Sequence, residues 1–162
     1  MDGRLRNMAS IYILDKDAML LLYRVGSRVV APSWCGIGGH FEKDELSDAR
    51  ACVLRELFEE MRLTEGDLAR LAHRYVTLRL KNGEIRINHY FFAQLREGVR
   101  VDLVCEEGRP AWMKLDQLPD LDMPHTARAV LRHYLDTGRH TDCLYCGCAV
   151  KDGVRFEALD EF

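Results

Sequence analysis

Nowhere in its 162 residues does the chain carry an apolar run approaching the roughly 20 residues that a membrane helix needs. A secretory-type apolar stretch is equally missing from Met1-Asp2-Gly3-Arg4-Leu5-Arg6, so the expectation is a cytoplasmic protein with no membrane partner. Basic excess is missing too. Lys and Arg number 23 against 26 Asp and Glu, and the net charge of −3 gives no general attraction to a nucleic acid polymer. Any polyphosphate ligand must be held locally. There is no linker, no internal repeat and no low-complexity segment, so a chain of this length is expected to form one domain over residues 1–162. Cysteine is not scarce, and the six thiols, with Cys35, Cys52 and Cys105 in apolar segments, read as reduced.

What is present is a succession of short apolar runs and turn residues. Ser10 to Leu14 and Ala18 to Tyr23, separated by Asp15-Lys16-Asp17, predict a β-hairpin. Gly26 to Gly39 is irregular and rich in Gly, Pro and Ser. From about Asp48 to Met61 the period is helical. Ala49, Val53, Leu54, Leu57, Phe58 and Met61 fill one arc, and Cys52, Arg55, Glu56, Glu59 and Glu60 fill the other. Lys81-Asn82-Gly83 joins Tyr75 to Leu80 with Glu84 to Leu95, and an Asn-Gly so placed predicts a second hairpin. Ala111 to Leu115 adds a strand. A helix from His125 to Asp136 follows Pro124 and stops near Gly138. The tail from Arg139 to Phe162, with Asp152-Gly153 between apolar pieces, reads as a last hairpin.

The first helix concentrates negative charge. Glu56, Glu59 and Glu60 stand at i, i+3 and i+4 and project onto one face. Packed acids repel, so such a face either stays in water beside arginines or holds a divalent cation. Gly38-Gly39 just upstream favours the cation, because glycine lets a backbone approach metal and phosphates closely.

Gly39, Glu45 and then Arg55-Glu56-Leu57-x-Glu59-Glu60-x-Arg62-Leu63 resemble the Nudix box, G-x5-E-x7-R-E-U-x-E-E-x-G-U with U aliphatic. Two departures stand out. The spacer between Glu45 and Arg55 is two residues longer than in the box, and Arg62 stands where the box has glycine. The extra residues fall before or at the helix start, so the register of the acids is untouched while the placement of Glu45 stays open. A non-glycine residue in a left-handed helix terminus costs about 1 kcal/mol. Trp34-Cys35-Gly36-Ile37-Gly38-Gly39, Glu107-Gly108-Arg109-Pro110-Ala111-Trp112 and Leu115-Asp116-Gln117-Leu118-Pro119 are similar to segments of the MutT-like, oxidised-purine nucleoside triphosphatase branch. Residues 10 to 135 carry the resemblance.

The resemblance implies an α/β/α sandwich around a mixed β-sheet. It also implies magnesium-dependent hydrolysis, with manganese as the alternative ion, of a nucleoside triphosphate of the oxidised-purine (8-oxo-dGTP-like) kind to monophosphate and pyrophosphate. Carried over, Glu56, Glu59 and Glu60 are metal ligands, with the Gly38 carbonyl beside them and Glu107 as a further acid. Glu56, Glu59 and Glu107 are candidates for activating water, and Arg55 orients a carboxylate. Gly38 and Gly39 face substrate. Arg24 either meets phosphate or is an ordinary surface arginine, and Trp112 is either a base platform or a packing residue. The base-reading positions fall on Cys35, a poor substitute for an amide, and on His125-Thr126, where His125 is alternatively a cap. Hydrolysis of a dinucleoside polyphosphate or nucleotide sugar is the second enzymatic reading, and a non-catalytic nucleotide-binding module the third. Cys143, Cys146 and Cys148 with His140 tempt one toward zinc, yet a single short cluster lacks a distant second pair and reads as fortuitous thiols.

Overall fold

The computed structural model describes residues 3–25 and 31–162, so Gly26 to Val30 of the irregular stretch lie outside the described residues. The sheet assembles on β1 (Arg4–Asp15). Its Ala9, Ile11 and Ile13 point to one side and Tyr12 to the other, and all four are at most 1% exposed, so both faces are covered. Lys16, in the left-handed region at φ 54°, turns the chain into β2 (Ala18–Arg24), which runs back antiparallel. The first hairpin is thus present, but β1 starts earlier than its apolar run. Arg4, Arg6 and Asn7 pair in parallel with a later strand, which gives no local hydrophobic signal.

After β2, β3 (Ser33–Cys35) pairs with β2 and β4 (Ile37–His40) with β1, the chain crossing between them at Gly36. β5 (Leu68–Lys81) and β6 (Glu84–Leu95) form the second hairpin. Asn82 and Gly83 both take positive φ, 53° and 74°, as a tight two-residue hairpin turn demands. β5 begins at Leu68 rather than Tyr75 because register shifts between Ala69 and Ala72 and between His73 and Tyr75 interrupt the alternation. β7 (Arg109–Lys114) pairs with β2, β8 (Tyr145–Val150) joins β5 in parallel, and β9 (Gly153–Ala158) lies antiparallel on β8. The sheet runs β3-β2-β1-β6-β5-β8-β9, with β4 also on β1 and β7 also on β2.

α1 (Ala49–Met61) covers the face of Ala9, Ile11 and Ile37, while α2 (His125–Asp136) covers the face of Tyr12, Tyr90 and Phe92. The result is the α/β/α sandwich around a mixed sheet. Among the described residues no helix is long and apolar enough to cross a membrane. The Asp48 carboxylate caps α1 by accepting from the Ala51 N–H at 2.9 Å. Arg62 ends the helix at φ 57°, the left-handed position usually given to glycine, and its guanidinium lies 5.5 Å from the Phe58 ring centre.

The two arcs of α1 are corrected. Its buried residues are Cys52, Val53, Leu57, Glu60 and Met61, whereas Phe58 is 49% exposed. Turning the helix this way brings Glu60 under the glycine strand and moves Phe58 out to the Arg62 side chain.

Gly38 is fixed by sterics. Its φ is +144°, and a Cβ there would stand 2.1 Å from the Ala9 carbonyl oxygen of β1. Backbone cannot yield as a side-chain tip can. Gly38→Ala should therefore lose roughly 3 kcal/mol or more of stability, read as a lower urea midpoint, and an unchanged midpoint would show that β4 is not pressed onto β1.

Candidate active site

Strand alternation sets which side chains meet. Leu20 faces α1, so Leu22 and Arg24 do too, and Cys35, opposite Leu22, shares that side. Arg24, the last residue of β2, therefore reaches across to α1. Its Nη2 donates to Glu60 Oε1 at 2.7 Å and to the Gly38 carbonyl at 2.9 Å, and lies 3.0 Å from Glu107 Oε2. The Gly38 N–H donates to the other Glu60 oxygen at 3.1 Å. Glu60 is thus held at both oxygens with its side chain only 3% exposed. Burial pushes its carboxyl up to about 7, with Glu107 and Glu56 adding in the same direction against Arg24 and the Gly38 N–H.

A second guanidinium serves the neighbouring acids. Arg55 Nε and Nη2 donate to the two Glu45 oxygens at 2.6 and 2.9 Å, a forked pair. Nη1 donates to Glu56 and Glu59, each at 3.0 Å, and Nη2 also reaches the His40 carbonyl at 3.0 Å. The Arg55 hydrogen bonds hold Glu45 down at about 2. Burial raises Glu56 above the usual carboxylate range despite Arg55, with Glu59 and Glu107 contributing. Gly39 makes room for this carboxylate, because a Cβ on Gly39 would lie 2.5 Å from Glu56 Oε1.

Arg24, Gly38, Gly39, Arg55, Glu56, Glu59, Glu60 and Glu107 are therefore gathered in one place. Arg24 is no ordinary surface residue, and Glu45 sits on Arg55. The Cys35 thiol is on the same side, donating to the Leu22 carbonyl at 3.4 Å, and burial pushes it up to about 11. Trp112 packs half-buried against the core under α1, opposite Leu20, about 13 Å along β2 from Arg24 at the usual rise per strand residue. His125 is exposed, and Thr126 is buried beneath Tyr90, whose hydroxyl donates to it at 3.4 Å. By strand alternation Cys35 lies on the α1 side of its strand, while Thr126 belongs to α2, which packs on the other face. Sequence reasoning missed the His40 carbonyl as a guanidinium acceptor, because a backbone oxygen leaves no mark in residue identity.

On the α2 side of the same strand ends, Tyr23, Trp34, Arg109 and Ala111 line a recess of about 340 Å³. Trp34 and Tyr23 have ring centres 5.1 Å apart, and the Arg109 guanidinium lies 5.2 Å from the Tyr23 ring. At the far end of the sheet, Cys146 is half-buried while Cys143 and Cys148 are exposed. Among the described residues no three acidic, histidine or cysteine side chains converge in a geometry ready for a metal, at the acids or at these thiols.

The sandwich and the glycine strand clamped to an acid-bearing helix define a class, the Nudix hydrolases. The family described as NUDIX domain matches residues 4–134, and the chain belongs to it. Among solved structures, the MutT protein of Bacillus halodurans superposes with a TM-score of 0.69 at 23% identity, covering 94% of this chain and 97% of that one. The MutT protein of Methanosarcina mazei Go1 gives 0.66 at 21%, covering 84% and 96%. An Ap4A hydrolase of C. elegans gives 0.64 at 20%, covering 85% and 99%. No curated protein sequence matches significantly.

The Glu45 pair has a pH signature. Its folded carboxyl titrates at about 2 against an ordinary 4.5, so its contribution is complete above the unfolded value and disappears as pH falls through the folded one. Glu45→Gln should cost on the order of 2 kcal/mol at neutral pH, and chemical unfolding should show the gap to wild type closing between about pH 4.5 and pH 2. A gap that does not change with pH would remove the ion pair as its cause.

Proposed function

We propose that the chain hydrolyses a nucleoside triphosphate to monophosphate and pyrophosphate with a bound divalent cation, magnesium or in its place manganese. A triphosphate of the oxidised-purine kind is the substrate put first. The observation that carries the reading is the gathering of Glu56, Glu59, Glu60 and Glu107 about Arg24, Arg55 and the Gly38 backbone, with the Glu60 side chain only 3% exposed. Clustered carboxylates of this kind are what a cation stabilises. The donor set fits, since Glu56, Glu59, Glu60, Glu107 and the Gly38 carbonyl offer only hard oxygens, the kind magnesium takes. In the present arrangement the guanidinium groups of Arg24 and Arg55 hold these oxygens, and a cation would compete with them.

When bound, such an ion neutralises phosphoryl oxygens and orients the attacking water. The chain's own groups supply the framework. Arg55 fixes Glu56 and Glu59, Arg24 keeps Glu60 and Glu107 together at the loop, and the glycines let phosphates approach the backbone without side-chain obstruction. Glu56, Glu59 or Glu107 takes the water's proton. A dinucleoside polyphosphate is the second substrate reading, favoured by the likeness to the C. elegans Ap4A hydrolase, and it uses the same groups.

The decisive measurement is pyrophosphate or phosphate release across a nucleotide panel, with and without magnesium. Strict metal dependence is expected, with calcium supporting binding but poor turnover. Tight nucleotide binding with no cleavage in magnesium or manganese would turn the reading to a non-catalytic module.

Glu59→Gln and Glu60→Gln should each lower turnover by about 100-fold or more while the far-UV circular dichroism is kept. Near wild-type turnover at saturating magnesium would remove these acids from the site. Glu107→Gln should lose far more turnover than Glu106→Gln, and equal small losses would return both to the surface.

A further inference from the structure

The two flanks of the sheet are finished differently. β7 contains Pro110 and has Arg109 and Lys114 at its ends, devices that discourage another strand from pairing. β9 has no proline and no lysine, and its single arginine, Arg155, stands mid-strand two residues from Glu157. Gly-Val-Arg-Phe-Glu-Ala runs without a bulge, in unbroken register with β8 from Tyr145↔Ala158 to Val150↔Gly153. Among the described residues no strand pairs with its other side.

The direction of its free backbone groups follows from one hydrogen bond. The Leu159 N–H donates to the Leu144 carbonyl at 2.8 Å. Antiparallel ladders alternate, so Gly153, Arg155 and Glu157 turn their groups toward β8, while Val154, Phe156 and Ala158 turn theirs outward.

We propose that this edge is a self-association surface on which a second copy of the chain lays its own β9, antiparallel, across a two-fold axis at Phe156. In that register Phe156 faces its counterpart and Val154 faces Ala158 of the copy. These are the very residues with outward N–H and C=O groups, and each facing pair exchanges two hydrogen bonds. The side chains agree with the backbone. Arg155 falls opposite Glu157 of the copy and Glu157 opposite Arg155, a charge order that is complementary to itself only under a two-fold. Both side chains are exposed and stand on the face opposite α2. Leu159, 50% exposed, falls opposite Gly153, which has no side chain to separate it from Val150, 37% exposed, on the neighbouring β8. A generic extended peptide would satisfy the backbone alone; the alternating charges single out a second copy.

Sedimentation of the purified, untagged full chain tests this. Wild type is expected to dimerise with a Kd in the micromolar range. Arg155→Glu alone, or Glu157→Arg alone, sets like charges opposite one another at both positions and should weaken association about tenfold or more, while the double exchange Arg155→Glu with Glu157→Arg should restore it. Ala158→Pro removes an outward donor that β8 does not use and should weaken association as well. Thermal unfolding of each variant separates lost pairing from lost fold, since the double exchange recovers dimer only if the pairing is real. Hydrolytic activity should be unchanged throughout, because β9 lies at the opposite flank from Arg24. A wild-type chain that sediments as a monomer at every concentration, or a dimer indifferent to both single reversals, would overturn the proposal.

Discussion

Five carboxylates stand around one glycine strand, and two guanidinium groups divide them. Arg24 takes Glu60 and Glu107; Arg55 takes Glu45, Glu56 and Glu59. Without this division the acids would repel with nothing between them, and the side chain of Glu60 could not stay 3% exposed. The partition also ties distant segments together. Arg24 joins the end of β2 to α1 and to the loop before β7, and Arg55 joins α1 to the turn that holds Glu45 and to the end of β4. Position of the helix and charge state of the site are thus one problem with one solution.

The glycines are the steric half of that solution. Gly38 allows β4 to press on β1, which delivers its N–H to Glu60, and Gly39 leaves the space that the Glu56 carboxylate fills. A stretched spacer and an arginine at the end of the helix are tolerated because neither touches these contacts. Despite the longer spacer between Glu45 and Arg55, the fork between the two side chains forms.

Periodicity and turn chemistry made the two hairpins, α1 and α2 legible, because each rests on contacts a few residues apart. The acid cluster was legible from spacing and from the family pattern. What the residues did not disclose depends on partners far along the chain. Arg24 looks like any strand-end arginine until Glu60 is folded beneath it. The exposure of Phe58 follows from how α1 is rotated on the sheet, which a wheel drawn from hydrophobicity alone places wrongly because it treats Glu60 as necessarily outward. Cys35 and Thr126 were assigned to one pocket by analogy, yet strand alternation sends Cys35 to the α1 side while Thr126 belongs to the helix on the other.

The parallel pairings of β1 with β6 and of β5 with β8 have a kinetic consequence. They join Arg4 with Glu84 and Tyr75 with Tyr145, residues separated by a little under half of the chain. The β5–β6 hairpin closes through a two-residue turn and forms on the time scale of local structure, whereas both parallel ladders wait for long loops to close. During that interval β1, apolar on both faces, has its β6-facing side unpaired. Refolding should therefore be slow relative to its hairpins, and the concentration at which it is carried out decides whether β1 finds β6 of its own chain or of another.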